Sequence, residues 1–567
     1  MSKNSESIKR YLAFALALVM MTGASAEAQD IFDVVPADSC GYLVLPNISE
    51  ASEALGRFIG ELEIPDAPSD PLAELLEEWG IQPNINGSLA LLLLNPSELG
   101  IEVTDATEPL PVAIVSASSV EALFEGKEIS TDGEYASVVV DGETLTAKAI
   151  NGFVVFSDQR KAVEAVVNAK AFARSELGEE TISMYDGSTV CLNINVANTV
   201  KTGMMEALLS HLDMDMSSEV SFVPSDIEDL LVQISSVSIG ARMEPKGLLV
   251  GATIELEADS SLAKASSALK PMDASKLMSL ADAGSYLLAM DSLQINVPEL
   301  NQPQSLAATL MQILPKDSAG VAEELAQTMV AMDEQTLSSQ FAIQSLPADD
   351  IGLINISVIT KCQNAQAMVA MLEKLVSQIS GLLASSSDPE LAQLQMVYKA
   401  ADSSVEGISV DAIEFQHPMI QGMGAMVIGP VLGELSAKIS VTQVDNNTVI
   451  VSIGGGERML AQTIKRVRSN DGSFMSNPAI AEVKQFIPPN TTGLVLINPA
   501  NIAQLISRAM AAFTGQQIDL TIQSQTPISM ATGIRNTTHL VTFYMPIAPV
   551  TEFIHAIKTM QSQDGGL

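Results

Sequence analysis

Four histidines and three cysteines are all the imidazole and thiol this 567-residue chain offers for metal or covalent chemistry. His211, His417, His539 and His555 have no partner at metal-ligand spacing. No HExxH, GxSxG or Cys/His pairing occurs, so neither a zinc centre nor a nucleophile with its base is written locally. Catalysis from residues distant in sequence would leave no such trace. No residue is therefore assigned a catalytic, metal-ligating or cofactor-binding role, no cofactor is expected, and the chain reads as non-enzymatic. Cys40, Cys191 and Cys362 each sit in or beside an apolar segment. They read as three buried thiols, with one bridge plus a free thiol as the alternative in an oxidising compartment.

Three segments come closest to a ligand motif. Gly454-Gly455-Gly456 lies between a strand pattern and a helix pattern, where backbone N–H groups can cradle phosphate. It lacks the Lys-Ser/Thr pair of a P-loop and the GxGxxG spacing, and a plain tight turn is the expectation. Asp213-Met214-Asp215-Met216-Ser217-Ser218-Glu219 alternates oxygen ligands as calcium loops do, but carries no Gly at the turn. Pro418 to Gly433 is apolar and rich in Gly and Met. Such a surface suits varied apolar partners, while its two prolines and its glycines argue against a regular helix.

Something must position these segments, and repeated turn–strand phrases are the first candidate. Pro36-Ala37-Asp38-Ser39-Cys40-Gly41-Tyr42-Leu43-Val44-Leu45 aligns without gaps on residues 347–356 and 488–497. Asp282 to Leu288 is a looser relative. Pro with Asp or Asn makes the turn, Gly frees the backbone, and an apolar strand follows. After the first and third copies, Asn47 to Ser49 and Asn498 to Asn501 supply caps for helices with apolar residues at helical spacing. Strand meanders follow at Val112–Phe156, with Asp-Gly and Asn-Gly hairpin turns, and at Lys438–Ile453. Long hairpins are expected at Val237–Leu256 and Ile528–Met545. In the first, Leu248, Val250, Ala252, Ile254 and Leu256 alternate with polar residues, as in a strand whose apolar face is turned inward.

These patterns predict an α+β fold of two similar lobes, each of mainly antiparallel sheet under amphipathic helices, at residues 27–272 and 273–567. Helical inserts are expected in the second at about 303–333 and 364–401, the latter including Glu390 to Ala400. Apolar residues make up 47% of the chain, enough for sizeable cores and unlike a disordered composition.

Residues 1–26 read as a signal peptide: Lys3, Lys9 and Arg10, an apolar run from Tyr11 to Met21, then Ala24-Ser25-Ala26. The run is shorter than the ~20 residues of a membrane span, and no later stretch reads as one, so an exported chain, periplasmic or extracellular, is expected. The formal charge of −39, from 68 acidic and 29 basic side chains, repels nucleic acid and anionic membrane. The expected partner is an unidentified protein or an apolar ligand. The phrase Pro-Ala-Asp-x-x-Gly-Tyr-Leu-Val-Leu behind a signal peptide, with repeated meanders, resembles exported proteins of planctomycete-type bacteria. That resemblance implies no activity and assigns no site residue. Three functions are consistent with these readings: a binding or scaffolding protein, a carrier of an apolar ligand such as lipid, and a hydrolase with a dispersed active site.

Overall fold

A computed structural model describes residues 30–62, 70–97, 99–100, 109–140, 142–201, 231–272, 284–295, 303, 306–307, 319–347, 352–386, 389–417, 425–433, 438–469, 474–515 and 520–564. The signal-peptide stretch, the Asp213–Glu219 loop and His211 lie outside them. The fold is α+β, and its strands pair antiparallel as hairpins and meanders. The chain divides into two compact units. The first holds the described residues up to 263 together with Arg535–Ile547. The second holds those from 264 to 534 and from 548 onward.

The first unit contains β1 (Gly41–Leu45), β2 (Leu89–Leu94), β3 (Leu110–Ser116), β4 (Glu128–Asp132), β5 (Tyr135–Val140), β6 (Glu143–Ile150), β7 (Phe153–Ser157), β8 (Val190–Asn195), β9 (Ile234–Glu244) and β10 (Gly247–Leu256). Their spatial order is β4-β5-β6-β7-β3-β2-β1-β8-β9-β10. Thr538–Pro546, numbered β20 as the last strand of the chain, lies against β10. The second unit contains β11 (Tyr286–Leu293), β12 (Thr336–Ser345), β13 (Ile354–Cys362), β14 (Gln395–Val405), β15 (Ile408–Gln416), β16 (Lys438–Asp445), β17 (Thr448–Ile453), β18 (Thr491–Ile497) and β19 (Ile528–Arg535). Their order is β14-β15-β16-β17-β13-β12-β11-β18-β19. Strand for strand, this is the order of the first nine strands of the first unit.

Local chemistry explains the corners. Between β6 and β7, Asn151 and Gly152 both take positive φ, 46° and 80°, the pairing that a two-residue hairpin with the right twist requires. Between β16 and β17, Asp445 Oδ1 accepts from Asn447 N at 2.8 Å, an Asx turn. The caps fall where the sequence places them. Asn47 Oδ1 accepts from Glu50 N at 3.2 Å ahead of the helix Ile48–Leu62. Asn498 Oδ1 accepts from Asn501 N at 3.1 Å ahead of the helix Pro499–Thr514.

Three expectations are overturned. Glu390 to Ala400 is not a helix: only Pro389–Gln393 is helical, and Gln395–Val405 is β14, paired with β15. The run Met396-Val397-Tyr398 suits a pleated surface, and an adjoining strand decides the contest that local propensity leaves open. The second helical insert therefore ends near 393, not 401. Ala425–Leu432 is helical despite Pro430. The turn is short, and Gly433 N still reaches Gly429 O at 2.8 Å, so the missing N–H removes little from it. Finally, the helix Ala365–Ala384 has the length and mean hydropathy, 1.4, to cross a membrane, which no later stretch was expected to have. In the fold, its Ala365, Met368 and Val376 pack on Ile413, Val441 and Val449 of β15, β16 and β17.

Candidate functional site

The sheet of the second unit has an unusual distribution of polarity. One face is closed: Ala289, Ala342, Ile359, Ile450, Leu494, Leu496 and Ala531 are buried on it. That same closed face holds most of the sheet's polar side chains. Asp291, Gln344, Asn355, Ser357, Ser452 and Ser529 are each at most 4% exposed. Several of them are bonded within the sheet. Gln340 Nε2 donates to Asp291 at 2.7 Å. Asn355 Nδ2 donates to Ser452 Oγ, Ile453 O and Gly454 O at 3.1, 3.2 and 2.7 Å, while its Oδ1 accepts from Ser357 Oγ at 2.8 Å.

The opposite face is apolar and less buried. Strand register sets its side chains in rows. Val441, Val451, Val358, Phe341, Met290, Val495 and Met530 stand directly opposite one another across β16, β17, β13, β12, β11, β18 and β19. Two residues along each strand, Ile439, Ile453, Ile356, Ile343, Leu288, Ile497 and Ile528 form a second row in the same registers. The helix Ala365–Ala384 packs over the β16 and β17 end, where Val441 is fully buried. Toward β19 cover is lost, and Met290 and Met530 are 37% and 42% exposed. Five strands, β13 to β19 in this order, thus carry ten large apolar side chains that are half-buried or exposed, over about 19 Å at ~4.8 Å per strand. On the other side of the methionine row, Thr360, Ser339, Ser292, Gly493 and Thr532 continue the same face across the same five strands.

Antiparallel sheets ordinarily turn apolar residues inward and polar ones to water; here the closed face mixes polar side chains with its buried apolar ones, and the other face is apolar but only partly buried. In the first unit, β10 buries Leu248 and Leu256 of its alternating apolar set and leaves Val250, Ala252 and Ile254 half-buried, while Thr253 on the other side is also buried. The polar side closes because Glu255 and Thr253 are used by the helix Glu179–Tyr185. Glu255 Oε1 accepts from Gly178 N and from Thr181 Oγ1, and Thr181 and Thr253 share a 2.7 Å hydroxyl contact. Elsewhere in that unit the helices Ile48–Leu62 and Pro71–Glu78 seal the apolar face with Leu43, Leu45, Leu89 and Val115 in one core.

The segments singled out for chemistry are structural. All three glycines of the 454–456 turn have positive φ. Gly455 N is taken by Leu432 O at 2.9 Å and Gly454 O by Asn355, so the turn fastens β17 to β13 and to the helix Ala425–Leu432, leaving no open phosphate cradle. The three cysteines are buried and unbridged. Burial raises the thiol pKa of Cys191 and of Cys362, which keeps them unreactive. Burial lowers the pKa of His539, on β20. No cluster of three metal-ligating side chains occurs among the described residues. An open recess of about 500 Å³ lined by Gln82, Pro83, Asn84, Ala117, Ser118 and Gly152 brings together no titratable groups. Nothing in the sequence marked the apolar face as a site, because its rows draw on strands spread over some 240 residues; the usable signal was a strand alternation whose inward side was assumed.

No protein-family model matches the chain, and no curated protein does. Among solved structures, three crystal forms of TP0453 are similar. Form IV is 11% identical at a TM-score of 0.23, over 40% of this chain and 81% of that one. Form I is 13% identical at 0.22, over 42% and 82%. Form III is 11% identical at 0.24, over 41% and 83%.

Proposed function

We propose that this chain is an exported, non-enzymatic binding protein of the cell envelope or extracellular space, and that what it binds is apolar. The observation behind this reading is the apolar face of the second unit's sheet, whose ten half-buried or exposed side chains from Leu288 to Met530 would be costly to leave partly in water. Contiguous apolar surface of more than a few hundred Å² marks a binding surface in a water-soluble protein, and dedicated ligand sites are lined mostly by apolar side chains with few polar ones. A carrier also accounts for the absence of a local catalytic motif. Native mass spectrometry of the protein isolated from its producing cells tests it. The expected result is an excess mass in stoichiometric amount that vanishes on denaturation. A bare chain mass, or a clean multiple of it, would reject the carrier reading in favour of a protein partner.

A further inference from the structure

Resting on that reading, we infer that the ligand is a two-tailed acyl lipid with an uncharged polar end, of the diacylglycerol type, held with its tails along the strands of the second unit and its polar end on the row Thr360, Ser339 and Ser292. The polarity of the face changes along the strands and not across them. Starting from the Ile356–Ile528 side, each strand offers an isoleucine or leucine, then a valine, phenylalanine or methionine, then a hydroxyl or, on β18, Gly493. From the first row to the third is four residues, about 14 Å at ~3.4 Å per residue. An acyl tail reaches about 15 Å, half of a ~30 Å hydrocarbon core. The five-strand width exceeds that of one tail.

The polar row selects the head. Ser and Thr hydroxyls donate to and accept from ester carbonyls and alcohols. The row contains no lysine or arginine, the groups that recognise phosphate in protein sites, and the chain carries a net charge of −39, which disfavours an anionic head. The hydroxyls of Ser292, Ser339 and Thr360 make no side-chain hydrogen bond among the described residues and are half-buried. Gly493 stands between Ser292 and Thr532, and a Cβ there would meet Thr532 Oγ1 at 2.7 Å, so the Thr532 hydroxyl fills the space beside the glycine and the three hydroxyls of Ser292, Ser339 and Thr360 carry the polar end. Burying such hydroxyls under hydrocarbon alone would cost hydrogen bonds that an ester or glycerol hydroxyl returns.

The test incubates the mature chain with phosphatidylcholine vesicles containing either diacylglycerol or phosphatidylglycerol, re-isolates the protein and counts bound lipid by native mass spectrometry. Diacylglycerol should be taken up in preference to phosphatidylglycerol by about tenfold, the ratio that one or two hydrogen bonds and the charge term give. Met290→Lys should abolish uptake of every lipid, and Met530→Glu, at the more exposed edge, does the same if Met290→Lys fails to fold. The pair Ser292→Val with Thr360→Val should keep total uptake and lose most of the preference. Uptake of no lipid by the unaltered chain would overturn the proposed function. Uptake without preference, or a preference that survives the valine pair, would overturn only the assignment of the polar end.

Discussion

Asn355 shows how much of the second unit depends on one amide. Its side chain is fully buried and makes three donor contacts and one acceptor contact, to Ser452, Ile453, Gly454 and Ser357. Asn355→Leu would leave two hydroxyls and the Gly454 carbonyl buried without their partner, so stability should fall by about 3 kcal/mol, read as a lower urea midpoint at unchanged slope. Gln378 gives the opposite sign. Both polar atoms of its amide are buried on the helix Ala365–Ala384 without a hydrogen-bond partner, so Gln378→Leu should raise stability by about 1 kcal/mol. A fall would mean that the amide is bonded. Neither role was legible in the sequence. Asn355 lies in the second copy of the phrase, where only the turn and the apolar strand carried a pattern, and the carbonyl it holds is about a hundred residues away.

Among the elements, hairpins were the most legible and the 454–456 turn the least. Asn-Gly encodes its own backbone geometry, and β6–β7 turns where it says. The meanders and capped helices follow from similarly short-range chemistry. Glu390 to Ala400 failed because an apolar run of that length fits either period, and β15 settles it. The triple glycine reads equally as a phosphate cradle or a tight turn until the packing around it is known. Its three positions should behave differently. Gly454 has φ +79°, and a Cβ there would lie 2.5 Å from Ile354 O; Gly454→Ala should cost about 3 kcal/mol, because backbone faces backbone and neither can yield. At Gly456, φ is +57° with open space around the added carbon, so Gly456→Ala should cost only the left-handed penalty, about 1 kcal/mol. Equal losses in urea denaturation would contradict the view that this turn is held by close contact with the strand β13.

Across the whole molecule, the turn, strand and helix patterns foretold the α+β class, while the placement of polarity escaped them. Nine strands of each unit follow one spatial order, but helices seal the apolar face in the first unit while in the second unit apolar side chains of one face stay partly open. Sequence alternation marks two faces but cannot say which one a helix will cover, and this choice determines the candidate site. The chain as a whole is strongly acidic, with 68 carboxylates against 29 basic groups. Such an excess opposes the compact state by self-repulsion, and salt shortens the reach of that repulsion from about 30 Å at 0.01 M to about 10 Å at 0.1 M. Melting temperature should therefore rise by several degrees between 10 and 200 mM sodium chloride, measured by circular dichroism on the purified protein. The same screening should leave diacylglycerol uptake unchanged, since neither tails nor an uncharged head respond to it, while the exclusion of phosphatidylglycerol relaxes. A melting temperature that falls with salt would mean that exposed ion pairs such as Lys399–Glu414 and Lys438–Asp402 outweigh the net charge, and phosphatidylglycerol uptake that ignores salt would locate head selection in the hydroxyl row alone.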